Sequence, residues 1–596
     1  MPTSALDAPN VNALWAQLLI ESLVRHGVRV FVVGPGSRST PLALAAHAHP
    51  RAEVVVHVDE RAGAFYALGV GRGSGHPAAW ITTSGTAVAN GLPAAVEAER
   101  AGVPLLLLTA DRPPELRETG ANQTVRQPGL FAPAARWAVD LAAPTAAIDP
   151  AYVLTTAAQA VARTLGPMPG PVHLNFPFRE PLAPRPDGVD IGALAAPLRP
   201  WADGTAPYTR IARPEARLSN ADVARLAARL GSVERGVVVV GQADAELSAS
   251  ALELARTLGW PLLAGVLSQA RVPEAGVVCG ADLVLASPDA AAALAPEAVV
   301  VVGGRPTSKR VQTWLDASGP AVRVIAAGTW ERFDPSHRAT ERVLGKPAAA
   351  LRQIAGAVAP REPGAWVRAW AEAERRARGA ADGVVESSGL SEPWVARTVA
   401  AGAPGPLVLA ASMPVRDAET FGGAVQASVG GVPFVTANRG ASGIDGTIAT
   451  AAGVARARHL TGATGATTLL IGDLAVLHDL GSLALLRSGP PVVVVAVNND
   501  GGGIFHFLPV APEQGGIAPA AFEPLFGAPH GLGFRDAAAM MGLAYAAPDS
   551  REAFEQTFRE AHASGASALL EVRTDRTANA ALHADVLDAV GRALGV

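Results

Sequence analysis

TTLLIGDLAVLHDLGSLALLRSGPPVVVVAVNNDGGG, residues 467–503, decides the fold. An apolar run ends at Asp473, a helical stretch follows, and a second apolar run ends at Asn498, Asn499 and Asp500 before three glycines. Short, continuous apolar strands separated by a helical crossover predict a parallel sheet covered on both faces. Such crossovers are right-handed, so the loops that carry function gather at the carboxyl edge of the strands. Asp473 and Asp500, 27 residues apart (500 − 473), are therefore expected at the ends of adjacent strands. Two carboxylates converging there suit a hard divalent cation held by few protein ligands, with phosphate oxygens and water completing an octahedron. Gly501, Gly502 and Gly503 would let the backbone approach a phosphorylated ligand closely. The plainer alternative is that Asp473 caps the next helix and NNDGGG is an ordinary loop.

The same βα rhythm extends outward. VNALWAQLLIESLVRHG, VRVFVVGPG, STPLALAAHAHP, AEVVVHVDE, RAGAFYALGVGRG, PAAWITTSG, TAVANGLPAAVEAERAG and VPLLLLTAD alternate helix and strand through the first 110 residues or so. GVVVVGQAD, PLLAGVLSQ, AVVVVGGRP and AVRVIAAG read as strands of a second unit, and TTLLIGD, PVVVVAVNND and SALLEVRTD as strands of a third. The stretch 361–385, rich in Arg, Glu and Ala, predicts a linking helix. The fold class is α/β: three doubly wound parallel-sheet domains at 1–185, 205–360 and 385–596.

Composition narrows the function. The chain has 596 residues, 49% of them hydrophobic, and a net charge of 49 − 53 = −4. Charges of both signs in near balance argue against a nucleic-acid scaffold or a polybasic membrane binder. A single cysteine, Cys279, excludes an internal disulfide framework and reads as a small buried residue. No run approaches the roughly 18 apolar residues that span a bilayer, and MPTSALDAPNVNALWAQ lacks the basic start of a secretory signal. A cytoplasmic protein is expected.

Gly-Asp followed by an Asn-rich strand end resembles the pattern by which thiamine-diphosphate enzymes hold Mg2+ and diphosphate. Such a cofactor needs a carboxylate at a ring nitrogen of its aminopyrimidine, shielded so that burial raises its pKa. Glu60, closing AEVVVHVDE, is the candidate; the alternative is an acid that merely stabilises a helix N-terminus. More specifically, PGSRSTPLALAA (35–46), DER (59–61), TSGTAVANGLPAAVEA (83–98), LTADRPPELRETGANQTVRQPGLF (108–131), LSQ (267–269), SKR (308–310), SMPVRD (412–417), NRGASGIDGTIATAAGV (438–454), GDLAVLHDLGSLALLR (472–487) and NNDGGGIFHFLP (498–509) resemble the 2-succinyl-5-enolpyruvyl-6-hydroxy-3-cyclohexene-1-carboxylate synthase family of menaquinone biosynthesis. The resemblance spans nearly the whole chain, thinnest in the middle. Two positions depart from it: Leu474 replaces the more usual glycine after Gly-Asp, and Ala411 stands where relatives often have Asn.

The resemblance implies decarboxylation of 2-oxoglutarate on thiamine diphosphate and conjugate addition of the succinyl unit to isochorismate. It implies Glu60 as the catalytic acid, and Glu60, Ser412, Met413, Ile444, Gly472, Asp473, Leu474, Ala475 and Asp500 as cofactor-binding, Ile444 wedging between the rings. The metal set would be Asp473, Asp500 and the Gly502 carbonyl, with Mg2+ replaceable by Mn2+. The substrates carry four carboxylates between them, and guanidinium is the best planar match for those retained. Ser37, Arg38, Arg112, Asn122 and Gln123 would bind isochorismate or the growing adduct, Lys309 and Arg310 would reach the same pocket, and Ser412, Arg416 and Arg439 would anchor the oxoglutarate-derived carboxylate. Phe505 and Leu508 would wall the reactive carbon. The alternatives are solvated or ion-paired arginines and ordinary core. His57, His478, His506 and His530 lie near these segments without an assigned role. The family places its sites between subunits, implying a homodimer or homotetramer. Competing readings are a pyruvate-directed thiamine-diphosphate enzyme, a nicotinamide oxidoreductase without the G-x-G-x-x-G spacing it needs, and a cofactor-binding regulator.

Overall fold

A computed structural model describes residues 6–212, 216–328, 331–425 and 434–595. It contains three six-stranded sheets, and every strand pairing among the described residues is parallel. The first holds β1 (Val30–Val33), β2 (Glu53–Val56), β3 (Ala78–Thr82), β4 (Leu105–Asp111), β5 (Trp137–Asp140) and β6 (Pro171–Pro177), ordered β2-β1-β3-β4-β6-β5. The second holds β7 (Gly236–Val240), β8 (Leu262–Ala264), β9 (Val277–Val278), β10 (Ala298–Val302), β11 (Val322–Gly328) and β12 (Glu341–Leu344), ordered β12-β11-β10-β7-β8-β9. The third holds β13 (Leu407–Leu409), β14 (Val435–Ala437), β15 (Thr467–Gly472), β16 (Val492–Asn498), β17 (Ala544–Ala546) and β18 (Ala568–Arg573), ordered β14-β13-β15-β16-β18-β17.

The first and third sheets thus share one strand order, which reverses direction between β1 and β3 and between β13 and β15. Crevices open at such reversals, outside the carboxyl ends of the strands. The central strands are buried from end to end, as in β4 and β16. Each fully buried Val or Leu there contributes about 1.5–3 kcal/mol of hydrophobic stabilisation. The predicted linking helix is Ala365–Ser387, and Cys279 is buried.

The described residues form two compact units: those before 215 with Asn438–Gly462 and Asp479–Pro490, and the remainder. In the first unit the helix Glu60–Ser74, which follows β2, packs along Thr447–Leu460, which follows β14. The contact is nearly backbone to backbone. A Cβ on Gly69 would lie 2.2 Å from the Thr450 carbonyl, and one on Gly453 would lie 2.1 Å from that of Tyr66. In the second unit Arg271 donates to the carbonyls of Ala264, Ala418, Glu419 and Gly422, while Glu419 accepts from Val266 N–H at 2.7 Å. This ties the loop after β8 to the helix Met413–Phe421.

Three local expectations are corrected. AEVVVHVDE is strand only to Val56: Asp59 Oδ1 accepts from Arg61 and Ala62 N–H and starts a helix whose first residue is Glu60. TAVANGLPAAVEAERAG is two helices, Thr86–Ala89 and Leu92–Ala101, parted at Asn90-Gly91. The stretch after Asp473 is a six-residue helix, Asp473–His478, followed by a 3-10 segment, Leu480–Arg487.

Candidate functional site

The candidate residues divide between the units. Ser37, Arg38, Glu60, Arg112, Asn122, Gln123, Arg439 and Ile444 lie in the first; Lys309, Arg310, Ser412, Met413, Arg416, Gly472, Asp473, Leu474, Ala475, Asp500, Gly502, Phe505 and Leu508 lie in the second.

In the first unit the loop after β1 carries exposed Ser37 and partly buried Arg38, at the reversal of strand order. Arg38 Nη1 donates to the Phe178 carbonyl at 2.9 Å and lies 3.4 Å from Glu180. Arg112, just past β4, donates to the Ser84 hydroxyl and to the Gln123 carbonyl at 3.0 Å, both neutral acceptors. Burial lowers the Arg112 pKa, and the neighbouring Arg38 guanidinium lowers it further. The two guanidiniums are thus neighbours, with Asp111 and Glu180 offsetting part of their mutual repulsion.

The loop bearing Asn122 and Gln123 is fixed from beneath by a buried network that sequence reading did not find. Gln127 accepts from Gly85 N–H at 2.9 Å and donates to the Ala110 carbonyl and to Asn175 Oδ1, both at 3.0 Å. Asn175 donates to Asp111 and Asp140, which Arg117 also bridges. Gln123 itself has φ 54 and returns a 2.8 Å bond to the Ser84 carbonyl.

Glu60 is half-buried within the chain, short of the full shielding expected of it. Asn90 Nδ2 donates to its Oε2 at 3.4 Å. A Cβ on Gly34 would lie 3.1 Å from Glu60 Cγ and 3.6 Å from Thr82 Oγ1, a buried hydroxyl without a partner. A side chain at Gly34 would therefore crowd Glu60, and the Thr82 hydroxyl beside it stays unsatisfied within the chain. Ile444 and Arg439 ride on the loop Asn438–Gly446, which enters the helix Thr447–Leu460 and has Ser442 at φ 63. Asp479 caps that helix, accepting from Ile448 and Ala449 N–H; burial raises its pKa to about 6. A cleft of about 460 Å³ opens here, lined by Phe65, Ala89, Leu92, Val96, Asn438 and Gly443 among others.

In the second unit the strands carrying Asp473 and Asp500 are hydrogen-bonded neighbours, Gly472 facing Val497. Asp473, 2% exposed, accepts from Leu474 N–H at 2.7 Å and Gly501 N–H at 2.8 Å. Asp500, at φ 59, accepts from His530 and Gly531 N–H, and these bonds hold its pKa below the usual carboxylate range. The His530 ring bridges the two acids, 3.2 Å from Asp473 and 3.7 Å from Asp500. Asn499 Oδ1 is buried without a partner in the same turn. A Cβ on Gly501, at φ 136, would fall 1.9 Å from the Gly527 carbonyl, so only glycine fits there. Two carboxylates on one point, with an orphaned amide oxygen beside them, fit a hard cation. Among the described residues no cluster of three or more His, Cys, Asp or Glu forms a complete cage, so backbone and ligand oxygens would have to finish the shell.

Ser412 stands at φ 71 between β13 and the helix Met413–Phe421, and Arg416 donates to its carbonyl, so the two share a face as the i, i+4 spacing predicts. Burial lowers the Arg416 pKa. Met413 and Ala475 are buried; Gly472 and Leu474 are partly so. Lys309 is exposed on the first turn of its helix, whereas Arg310 is engaged by Asp282 at 2.6 Å, the ion-paired alternative. Phe505 packs edge-on against Phe526 at 5.4 Å, and Leu508 is exposed. Glu392, fully buried, accepts from Asn499 and Thr574; burial pushes its pKa to about 8. Nothing local in the sequence marks Glu392 or Gln127, because their partners lie between 17 and 182 residues away.

Backbone strain collects at these loops. Gln123, Ser412, Ser442 and Asp500 are non-glycine residues with positive φ, each in a stretch singled out from sequence. Such conformations cost of order 1–3 kcal/mol and persist only where the surrounding structure over-determines them.

Residues 15–130 match a family profile described as the thiamine pyrophosphate enzyme N-terminal TPP binding domain, and residues 193–409 match the thiamine pyrophosphate middle domain. The chain is 52% identical to 2-succinyl-5-enolpyruvyl-6-hydroxy-3-cyclohexene-1-carboxylate synthase of Rubrobacter xylanophilus, over 97% of this chain and 98% of that one. It is 48% identical to the synthase of that name from Salinibacter ruber (99% and 98%) and 42% to that from Myxococcus xanthus (98% and 98%). Near-complete coverage at such identity leaves one assignment: the chain belongs to the 2-succinyl-5-enolpyruvyl-6-hydroxy-3-cyclohexene-1-carboxylate synthase family of thiamine-pyrophosphate enzymes.

Proposed function

We propose that this chain moves a succinyl unit, released from 2-oxoglutarate with loss of CO2, onto isochorismate, in a thiamine-diphosphate- and Mg2+-dependent step of menaquinone biosynthesis in the cytoplasm. The observation that carries the reading is the Arg38–Arg112 pair at the strand reversal of the first sheet, in a chain whose full length matches synthases of that name. Paired guanidiniums favour substrates with several carboxylates over a monocarboxylate such as pyruvate.

Bound thiamine diphosphate supplies the electron sink that a 2-oxoacid needs to lose its carboxylate. Glu60 would hold a proton at the pyrimidine nitrogen, with Asn90 orienting its carboxyl. Asp473, Asp500 and the Gly502 carbonyl would hold Mg2+, or Mn2+ in its place, and Ser412, Met413, Gly472, Leu474 and Ala475 would line the diphosphate. Ile444 would wedge the cofactor rings. Ser412, Arg416 and Arg439 would anchor the oxoglutarate carboxylate; Ser37, Arg38, Arg112, Asn122, Gln123 and Lys309 would take isochorismate. Arg310, paired with Asp282, would reach the same pocket as Lys309. Phe505 and Leu508 would keep water from the reacting carbon. On this reading 1–185 is the pyrimidine-binding domain, 205–360 the central domain and 385–596 the diphosphate domain. A homodimer or homotetramer would complete the site. Half-buried Glu60 and exposed Val56 and Val58 beside it suit cover by a second copy.

The test supplies 2-oxoglutarate, isochorismate, thiamine diphosphate and Mg2+ and looks for the adduct by mass spectrometry. Formation of the adduct with CO2 release is expected. CO2 release from pyruvate but not 2-oxoglutarate would transfer the assignment to a different decarboxylase.

A further inference from the structure

Glu97, on the helix Leu92–Ala101, is only 2% exposed. Its carboxylate has three donors. Oε1 accepts from Gly440 N–H at 3.0 Å and from Arg72 Nη2 at 2.8 Å; Oε2 accepts from Ala441 N–H at 2.6 Å. Two of the three donors are backbone groups some 340 residues away in sequence. Arg72 is equally buried, and its Nε and Nη1 have no partner, so Glu97 carries the whole neutralisation of that guanidinium. The loop sits directly on the helix: a Cβ on Gly440 would lie 2.8 Å from Ala101 N and from the Glu97 carbonyl.

The chemistry requires an acid here. Both facing backbone groups are N–H donors, and a carboxylate is the side chain that offers acceptors alone. A glutamine would turn an NH2 toward one of them. Burying a carboxylate is costly unless donors compensate, and the compensation here comes from the loop and from Arg72. Arg439 immediately precedes the clasped pair, and Ile444 follows it by three residues.

We propose that Glu97 is a positioning residue: neutralised by Arg72, it clamps the Gly440 and Ala441 amides and so sets where Arg439 and Ile444 present their side chains. The second half rests on the reading of those two residues given above; the clamp itself does not.

The test separates the two. Amide exchange is followed by mass spectrometry in the full-length protein without cofactor, comparing the 438–446 peptide with the β4 peptide 105–111 as control. Glu97→Gln should speed exchange at Gly440 and Ala441 roughly tenfold or more and leave β4 unchanged. Because Glu97→Gln alone strands a buried guanidinium, the neutral pair Arg72→Met with Glu97→Gln is run beside it and should loosen the same peptide. In the loaded enzyme, KM for 2-oxoglutarate and the Kd of thiamine diphosphate should each rise about tenfold, more than kcat falls. Unchanged loop exchange overturns the clamp, as does equal loosening of loop and β4 in both variants. A loosened loop with KM and Kd unmoved overturns the positioning role. A wild-type enzyme inactive with both substrates refutes the functional reading and leaves the exchange result standing.

Discussion

The first and third sheets have one strand order and opposite chemistry. At the reversal of the first, the loops after β1, β3 and β4 bring Ser37, Arg38, Ser84 and Arg112, a cationic and hydroxylic edge. At the reversal of the third, the loops after β13, β15 and β16 bring Ser412, Asp473 and Asp500, an edge dominated by acid. The strand order makes a crevice in both; on the function proposed above, the side chains would suit one to carboxylates and the other to a cation. The two edges are also held differently. Asp473 and Asp500 owe their meeting to the register of two adjacent strands. Glu97 and the loop carrying Arg439 owe theirs to hydrogen bonds between segments far apart in sequence, beside two helices packed through glycines.

That contrast is broken or sharpened first at Glu60. If the first edge supplies proton chemistry and the third supplies cofactor grip, Glu60→Gln should cut turnover by roughly 10²-fold or more while cofactor affinity changes little. Steady-state kinetics with a parallel binding titration checks this, and near-normal turnover would remove Glu60 from catalysis. Asp473→Ala should give the reverse profile: the Kd for thiamine diphosphate with Mg2+ rises by about tenfold or more, with less effect on KM for isochorismate. Equal affinity in wild type and variant would exclude Asp473 from the metal set.

The helix contact comes next. Gly453→Ala places a methyl 2.1 Å from the Tyr66 carbonyl, and overpacking of that kind costs about 1–3 kcal/mol. Gly379, on the exposed face of Ala365–Ser387, has nothing within 4 Å, so Gly379→Ala should instead stabilise by about 0.5–1 kcal/mol. Denaturation of both variants measures the difference, and a neutral Gly453→Ala would mean that the two helices pack less closely than described.

How much was legible follows the same divide. The strand-end acids could be read because a parallel strand is written as one apolar run and its end as the first polar residue; Asp473, Asn498 and Asp500 obey that rule. The rule failed at Glu60, where Asp59 captures the next amides and converts a strand end into a helix start. It failed again at β6, whose buried run Pro171–Pro177 contains His173 and Asn175 and so does not look apolar. Those residues are polar because they belong to the network under Arg112, which exists only once β4, β5 and β6 are side by side. Glu97 lies within TSGTAVANGLPAAVEA yet leaves no trace there, since two of its three donors are backbone amides with no sequence signature.

That network also gives stability a dependence on pH. Thr109 donates its one hydroxyl proton to Asn175 at 2.9 Å, so the 2.7 Å contact with His173 Nε2 requires the histidine nitrogen to donate. Burial lowers the His173 pKa to about 4, outweighing the attraction of Asp140. Between pH 4 and about 6.5 the unfolded chain therefore binds a proton that the native state refuses. Stability is complete above about pH 6.5 and falls as pH drops toward 4, by up to about 3 kcal/mol from this residue. His562, in the second unit, is lowered to about 4 by burial and acts in the same direction. His173→Gln keeps a donor toward Thr109 and removes the titration, so its loss of stability from pH 7 to pH 5 should be shallower than in the wild type. Parallel slopes in urea titrations at the two pH values would show that His173 takes up its proton without disturbing the sheet, and that the polar layer beneath the cationic edge is wetter than its burial implies.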